Sequence, residues 1–306
     1  MGFLAGHFQC FLYPLPKHLG IETGLEGIFF TQIHFFHLES PTVSLLNHKK
    51  NSLFVFLAAL FLTNALVAEL IGGKIFSLEK TLGLAPAQLH IFGDFVLDFN
   101  LTAGVVLWPV VFTLSDIVNE YFGIAGVRRI SFMTAGFIVY TFFMIWISAN
   151  LSPADFWLQI NAKDSQGMPM NIDEAYQRIF IQSMGIIVGS LVAFLFGQLI
   201  DAVAFQWLRR LTGSRVIWVR ALGSTLISQL IDSFVVLTIA FYVFGNPRWP
   251  FVQVIAQGIM NYIYKFGIAI VMLPMLYLMH SLIQQYLGKK ESELVANEAS
   301  KTTLLS

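Results

Sequence analysis

Charge is what this chain of 306 residues has least of. Charged residues make up 12%, about half the share a soluble domain carries, while hydrophobic residues reach 56%. The 18 basic and 18 acidic residues cancel, so no bulk charge invites a nucleic acid. A lone cysteine, Cys10, excludes an intrachain disulfide and any multi-cysteine zinc site. No Walker phosphate loop, His-Glu-x-x-His helix or Gly-x-Ser-x-Gly elbow occurs, which leaves a membrane enzyme the least supported class. No cofactor and no metal are expected.

What is abundant is apolar length. With 30 phenylalanines and a mean hydropathy of +0.70, the apolar surface has to face lipid. Six stretches stand out, at about Leu53–Phe76, Thr102–Tyr121, Ile130–Leu151, Ile179–Leu208, Ala221–Phe244 and Phe251–Ile283. They predict an all-α, polytopic membrane helix bundle with six transmembrane helices over residues 51–285, followed by a cytoplasmic tail at 286–306. Residues 1–50 read as a poorly ordered or interfacial extension, since Pro14, Pro16 and Lys17 interrupt its apolar run. His34, His37 and His48 follow no ligand spacing.

Lysine and arginine are biased to alternate loops: Lys49 and Lys50, Arg128 and Arg129, Arg209, Arg210, Arg215 and Arg220, then Lys289 and Lys290. By the positive-inside rule these loops and both termini are cytoplasmic, in a multi-pass membrane protein. Five of the six tryptophans fall at expected interfaces; Trp108, inside the second span, does not.

Ionisable residues in a span are costly, about 2.5–3.5 kcal/mol each at the bilayer centre on insertion scales, so they mark function first. Asp116, Asn119 and Glu120 share one face of the second span, with Pro109 a turn or two earlier freeing a backbone carbonyl. Glu120 also lies near enough to the boundary to pair with Arg128 or Arg129. Gln198 and Asp201 in the fourth span, and Gln229 and Asp232 in the fifth, repeat the tetrad Gln-Leu-Ile-Asp. A ladder of Gly185, Gly189, Ala193 and Gly197 permits close helix approach beside them. Asn64 and Glu69 lie in the first span, Asn261 and Lys265 on one face of the sixth, where Lys265 can neutralise Asp232 or another carboxylate. Each set also admits a structural reading, as interhelical hydrogen bonding.

The runs Thr102–Phe112, Ser115–Gly123, Gly189–Phe194 with Gly197–Asp201, and Arg220–Ser233 resemble the bacterial queuosine precursor transporter family, also called the VUT family. The resemblance extends from about residue 53 to 285. It implies import of 7-deazaguanine bases, such as 7-cyano-7-deazaguanine, for tRNA modification. The Asp, Asn and Gln sets suit the donor-rich edge of such a base, without indicating which carboxylate contacts it. The expected partners are this small-molecule substrate and the lipid bilayer, with a homo-oligomer left open. The runner-up reading is a substrate-binding membrane subunit that docks on a separate energising module through the small-residue ladders.

Overall fold

The computed structural model describes residues 41–92, 95–181, 184–213, 216–245 and 248–302. Cys10, His34, His37 and most of the extension expected at 1–50 lie outside these residues.

Helix α1 covers Pro41–Ile71, starting well before the expected Leu53 and ending at Gly72-Gly73 rather than Phe76. Helix breakers stop it where hydropathy alone carried the span onward. The connection that follows contains short antiparallel pairs, β1 (Ile75–Ser77) with β4 (Asn100–Thr102) and β2 (Leu89–Phe92) with β3 (Phe95–Leu97), and a single helical turn, α2 (Leu78–Thr81). Residues 103–106 form a 3₁₀ turn, so the second span begins at Trp108 and not at Thr102.

Helix α3, Trp108–Ala149, has 42 residues. At about 1.5 Å per residue it would measure roughly 63 Å, twice the apolar thickness of a bilayer. Gly123 resolves this, because its φ of 67° and ψ of −170° break the helix in a conformation that favours glycine. The contacts show the chain turning back there. Phe54 lies 5.0 Å from the Phe122 ring and 5.8 Å from the Arg129 guanidinium, on either side of the break. Towards the other end of α1, Ala68 abuts Gly104, while Leu66 packs with Ile138 and Phe142. One half of α3 therefore runs antiparallel to α1 and the other parallel to it.

Short helices α4 (Asp155–Ile160) and α5 (Ile172–Ile181) occupy the long polar connection. Helix α6 (Met184–Thr212) packs against α7 (Ile217–Leu237), which continues as a π-helical segment, Thr238–Val243. Helix α8 (Phe251–Val271) leads through Met272 into α9 (Leu273–Leu287). Pro274 tolerates this junction because it sits in the first turn of α9. Among the described residues five helices are long and apolar enough to cross a membrane, and the break in α3 makes six passes of them.

Gly189, Ala193 and Gly197 of the small-residue ladder face inward. A Cβ on Gly189 would lie 3.1 Å from the Val236 carbonyl, and one on Gly197 would lie 3.7 Å from Asp232 Cβ. These residues are committed to the α6–α7 contact, which removes them as the docking face of the runner-up reading. Apolar side chains such as Phe56, Phe132, Phe196 and Ile263 are exposed on the flanks, as lipid contact requires. Helix α10 (Lys289–Ala299) folds back under the bundle, burying Val295, Ala296 and Ala299. Thr302 accepts the Ile124 N–H at 3.1 Å, beside the Gly123 break, and Lys50 reaches Glu298 at 3.6 Å. The start of α1, the turn in α3 and α10 thus share one end of the bundle.

Candidate functional site

Two chambers lie inside the bundle. The larger, about 370 Å³, extends from Ile75 and Asn100 at the loop end to Asp232, Asn261 and Lys265. Glu69 faces it from α1, and Ser190 Oγ lies 2.7 and 2.8 Å from the two oxygens of that carboxylate. Lys265 Nζ donates to Asp232 Oδ2, joining α8 to α7 by an ion pair. Gly197 of the ladder packs directly beside this carboxylate on α7. Aromatic rings form the walls: Trp108 and Phe112 stack at 5.9 Å, and Phe241 lies on Trp249 at 4.1 Å with 13° between planes.

The smaller chamber, about 40 Å³, holds little more than a water or two. Asp116 and Gln229 line it together with Thr113, Thr225 and Tyr264. Val105, Trp108, Phe112 and Lys265 belong to both chambers and divide them. Trp108, the tryptophan out of place in an interfacial belt, is this partition.

Behind the chambers a polar network ties α3, α6 and α7 together. Ser115 donates to Gln198 Oε1 at 2.6 Å, and Ser228 to Asp201 Oδ1 at 3.0 Å. Asn119 donates to the Ala202 carbonyl at 3.0 Å, and Gln206 returns bonds to the Asn119 backbone and side-chain oxygens at 2.7 and 2.8 Å. Past this network the bundle is sealed. Glu120 Oε2 lies 2.8 Å from Arg209 and 3.1 Å from Arg220, whose side chain is fully buried over the Phe205 ring. Arg220 also donates to the Gly213 carbonyl at 2.5 Å, and Tyr121 bonds His280 at 2.8 Å.

The structure therefore sorts the residues singled out from sequence. Asp232, Lys265 and Asn261 face the large chamber; Asp116 and Gln229 face the small one. Gln198, Asp201 and Asn119 lie in the network behind them, and Glu120 belongs to the seal. The ion pairs of Glu120 are with Arg209 and Arg220, not with the Arg128–Arg129 pair, because the turn at Gly123 swings Arg129 over Phe54. Asn64 lines neither chamber, and its amide bonds back to the Leu60 carbonyl at 2.8 Å. Pro109 sits in the first turn of α3, where no intrahelical N–H is lost, and its carbonyl accepts from Thr113 at 2.9 Å. Glu69 and Arg220 are the residues sequence reasoning undervalued. Glu69 was visible as a carboxylate in a span, whereas Arg220 looked like one more loop cation.

A polytopic helix bundle whose polar cavity opens at one end and is closed by buried ion pairs at the other is the architecture of a membrane carrier. The chain matches the family described as "Putative vitamin uptake transporter" over residues 102–279 and belongs to it. It is 29% identical over 183 residues to the "Probable queuosine precursor transporter" of Bacillus subtilis, covering 58% of this chain and 72% of that one. The "Queuosine precursor transporter" of Escherichia coli is 26% identical over 210 residues, 67% of this chain and 84% of its own length. A Haemophilus influenzae protein, also a "Probable queuosine precursor transporter", is 26% identical over 179 residues, 57% of this chain and 66% of its own length. No solved structure gives a significant match.

Proposed function

We propose that this chain imports queuosine precursors, 7-deazaguanine bases such as 7-cyano-7-deazaguanine, across the inner membrane to supply a tRNA modification. The observation that carries the reading is the large chamber, where carboxylates, an amide and a lysine meet between aromatic walls. A volume of about 370 Å³ lies within the range of small-ligand sites. The edge of a guanine-like base presents adjacent N–H donors that one carboxylate accepts in pairs, and Lys265 or Asn261 can donate to its carbonyl. Trp108 offers a face for stacking.

Asp232 already holds Lys265, whereas Glu69 makes no ion pair among the described residues and accepts only from Ser190. We assign the donor edge of the base to Glu69, with the Asp232–Lys265 pair alongside. The basic residues gathered at the sealed end support a cytoplasmic side for that end by the positive-inside rule. The conformation is then open to the outside. The test is uptake of labelled 7-cyano-7-deazaguanine by cells with and without the gene and by proteoliposomes containing the purified chain alone. Uptake only where the chain is present supports the reading; equal uptake without it ends the reading.

A further inference from the structure

The carboxylates of Asp116 and Asp201 have no part in the large chamber, yet they are 5% and 4% exposed. Neither makes an ion pair among the described residues. Two ionised carboxylates left together in a low-dielectric interior repel each other and lack compensation for lost hydration. Both sit at the α3–α6 contact, between the Ser115–Gln198 and Asn119–Ala202 bonds that join the two helices. The hydrogen-bond inventory shows what is missing. Asp116 Oδ1 and Gln229 Oε1, both buried at the small chamber, are acceptors without a donor. One proton on Asp116 would convert an orphan acceptor into a donor in the same chamber as the orphan acceptor Gln229 Oε1.

We infer that Asp116 and Asp201 form a shared proton-binding site, served by the small chamber, whose loading and release couple transport to the proton gradient. The inference rests on the transport reading above for its coupling, but not for the proton itself. The charged and titratable surroundings are Glu120 on the same helix, Arg220 on α7, Tyr264 and Lys265 on α8, and His280 on α9 one turn beyond Leu276. Arg220 is paired with Glu120 and Lys265 with Asp232, and Arg220, which keeps Nε and Nη2 without a hydrogen-bond partner, is among the described residues the one cation that also acts on Asp116. In the cycle a proton passes from water to Asp116 Oδ1 while the bundle is open to one side. It leaves to water on the other side after rearrangement, with no other bond made or broken.

The experiment has two arms on the purified full chain. Infrared spectroscopy at neutral pH should show the carbonyl stretch of an un-ionised, buried carboxylic acid. That band should be lost in Asp116→Asn, weakened or shifted in Asp201→Asn, and kept in Asp116→Glu. Proteoliposomes with an imposed pH gradient should accumulate 7-cyano-7-deazaguanine several-fold over the no-gradient control. In Asp116→Asn the ratio between the two conditions should fall to about one, whatever the absolute rate. A wild type without the band overturns the proposal, as does uptake driven by sodium but indifferent to the pH gradient. The band without any uptake would support the proton site and bring down the transport reading instead.

Discussion

The two ends of this bundle handle buried charge in opposite ways. In the chamber that extends inward from the loop end, Glu69, Asp232 and Lys265 surround a volume large enough for a ligand. At the basic end Glu120, Arg209 and Arg220 are packed against each other with almost no exposure. The same residue types thus form a receptive surface in one place and a plug in the other. The difference lies in charge compensation. Glu120 has two guanidiniums beside it, and its backbone carbonyl accepts from Arg209 at 2.9 Å. Glu69 has one serine. A carboxylate held between two cations is locked in place, and one that no cation neutralises is left to a ligand.

The most damaging change should be at the plug. Arg220→Ala leaves Glu120 with a single cation and frees the Gly213 carbonyl, and breaking a buried ion pair from one side costs about 3–5 kcal/mol. We expect a large drop in thermal stability in detergent. A melting temperature equal to wild type would remove the plug from the comparison.

At the receptive end, Asp232→Asn strands Lys265 and should cut uptake per molecule about 30-fold or more, equivalent to roughly 2 kcal/mol. Lys265→Met should do the same alone. The double variant should lose less than the product of the two, since each single change leaves a buried charge unpaired. Additive losses in that cycle would separate the two residues. Glu69→Gln, by contrast, should mainly weaken substrate binding, by about tenfold for one lost charged acceptor, and leave melting unchanged.

Gly123→Ala tests whether the turn in α3 holds the plug in place. Its positive φ and the nearby Thr302 and Ala299 oppose a side chain, at a cost of about 1–2 kcal/mol. Loosening of α10, read by protease cleavage after Lys289 or Lys290, should accompany it. Unchanged cleavage would show that α10 docks independently of the turn.

The smallest effect is expected in the connection at the loop end. Burial pushes the Glu79 carboxyl up, but the Phe99 N–H at 2.7 Å, the Ser77 hydroxyl at 3.0 Å and other backbone donors hold it below its ordinary value of 4.5. A group lowered on folding contributes its full stability above that ordinary value and loses it as pH falls through the folded one. Protection of the Phe99 amide, its exchange relative to the intrinsic rate at each pH, should therefore be constant from neutrality to about pH 5 and fall only in stronger acid, and Glu79→Gln should flatten that fall. Faster exchange already at neutral pH would contradict the assignment.

Composition and apolar length alone determined that the chain is a helical membrane bundle. Lipid offers the backbone no partners, so long uncharged stretches have few other solutions. The cost of charge in a span also made Asp116, Asp201, Asp232 and Lys265 conspicuous before any geometry was known. Periodicity could show that Gln229 and Asp232 share a face, and that the glycine ladder beside Asp201 allows a close contact. It could not show which carboxylate meets which cation, because partners such as Glu120 and Arg209 are nearly ninety positions apart and meet only when α3 and α6 pack. Only the tertiary structure decided that Trp108 divides two chambers, that Arg220 is a plug and not a loop cation, and that Asn64 stands aside. The reason is that a side chain's charge is written in the sequence, while its hydrogen-bond partners are set by neighbouring helices.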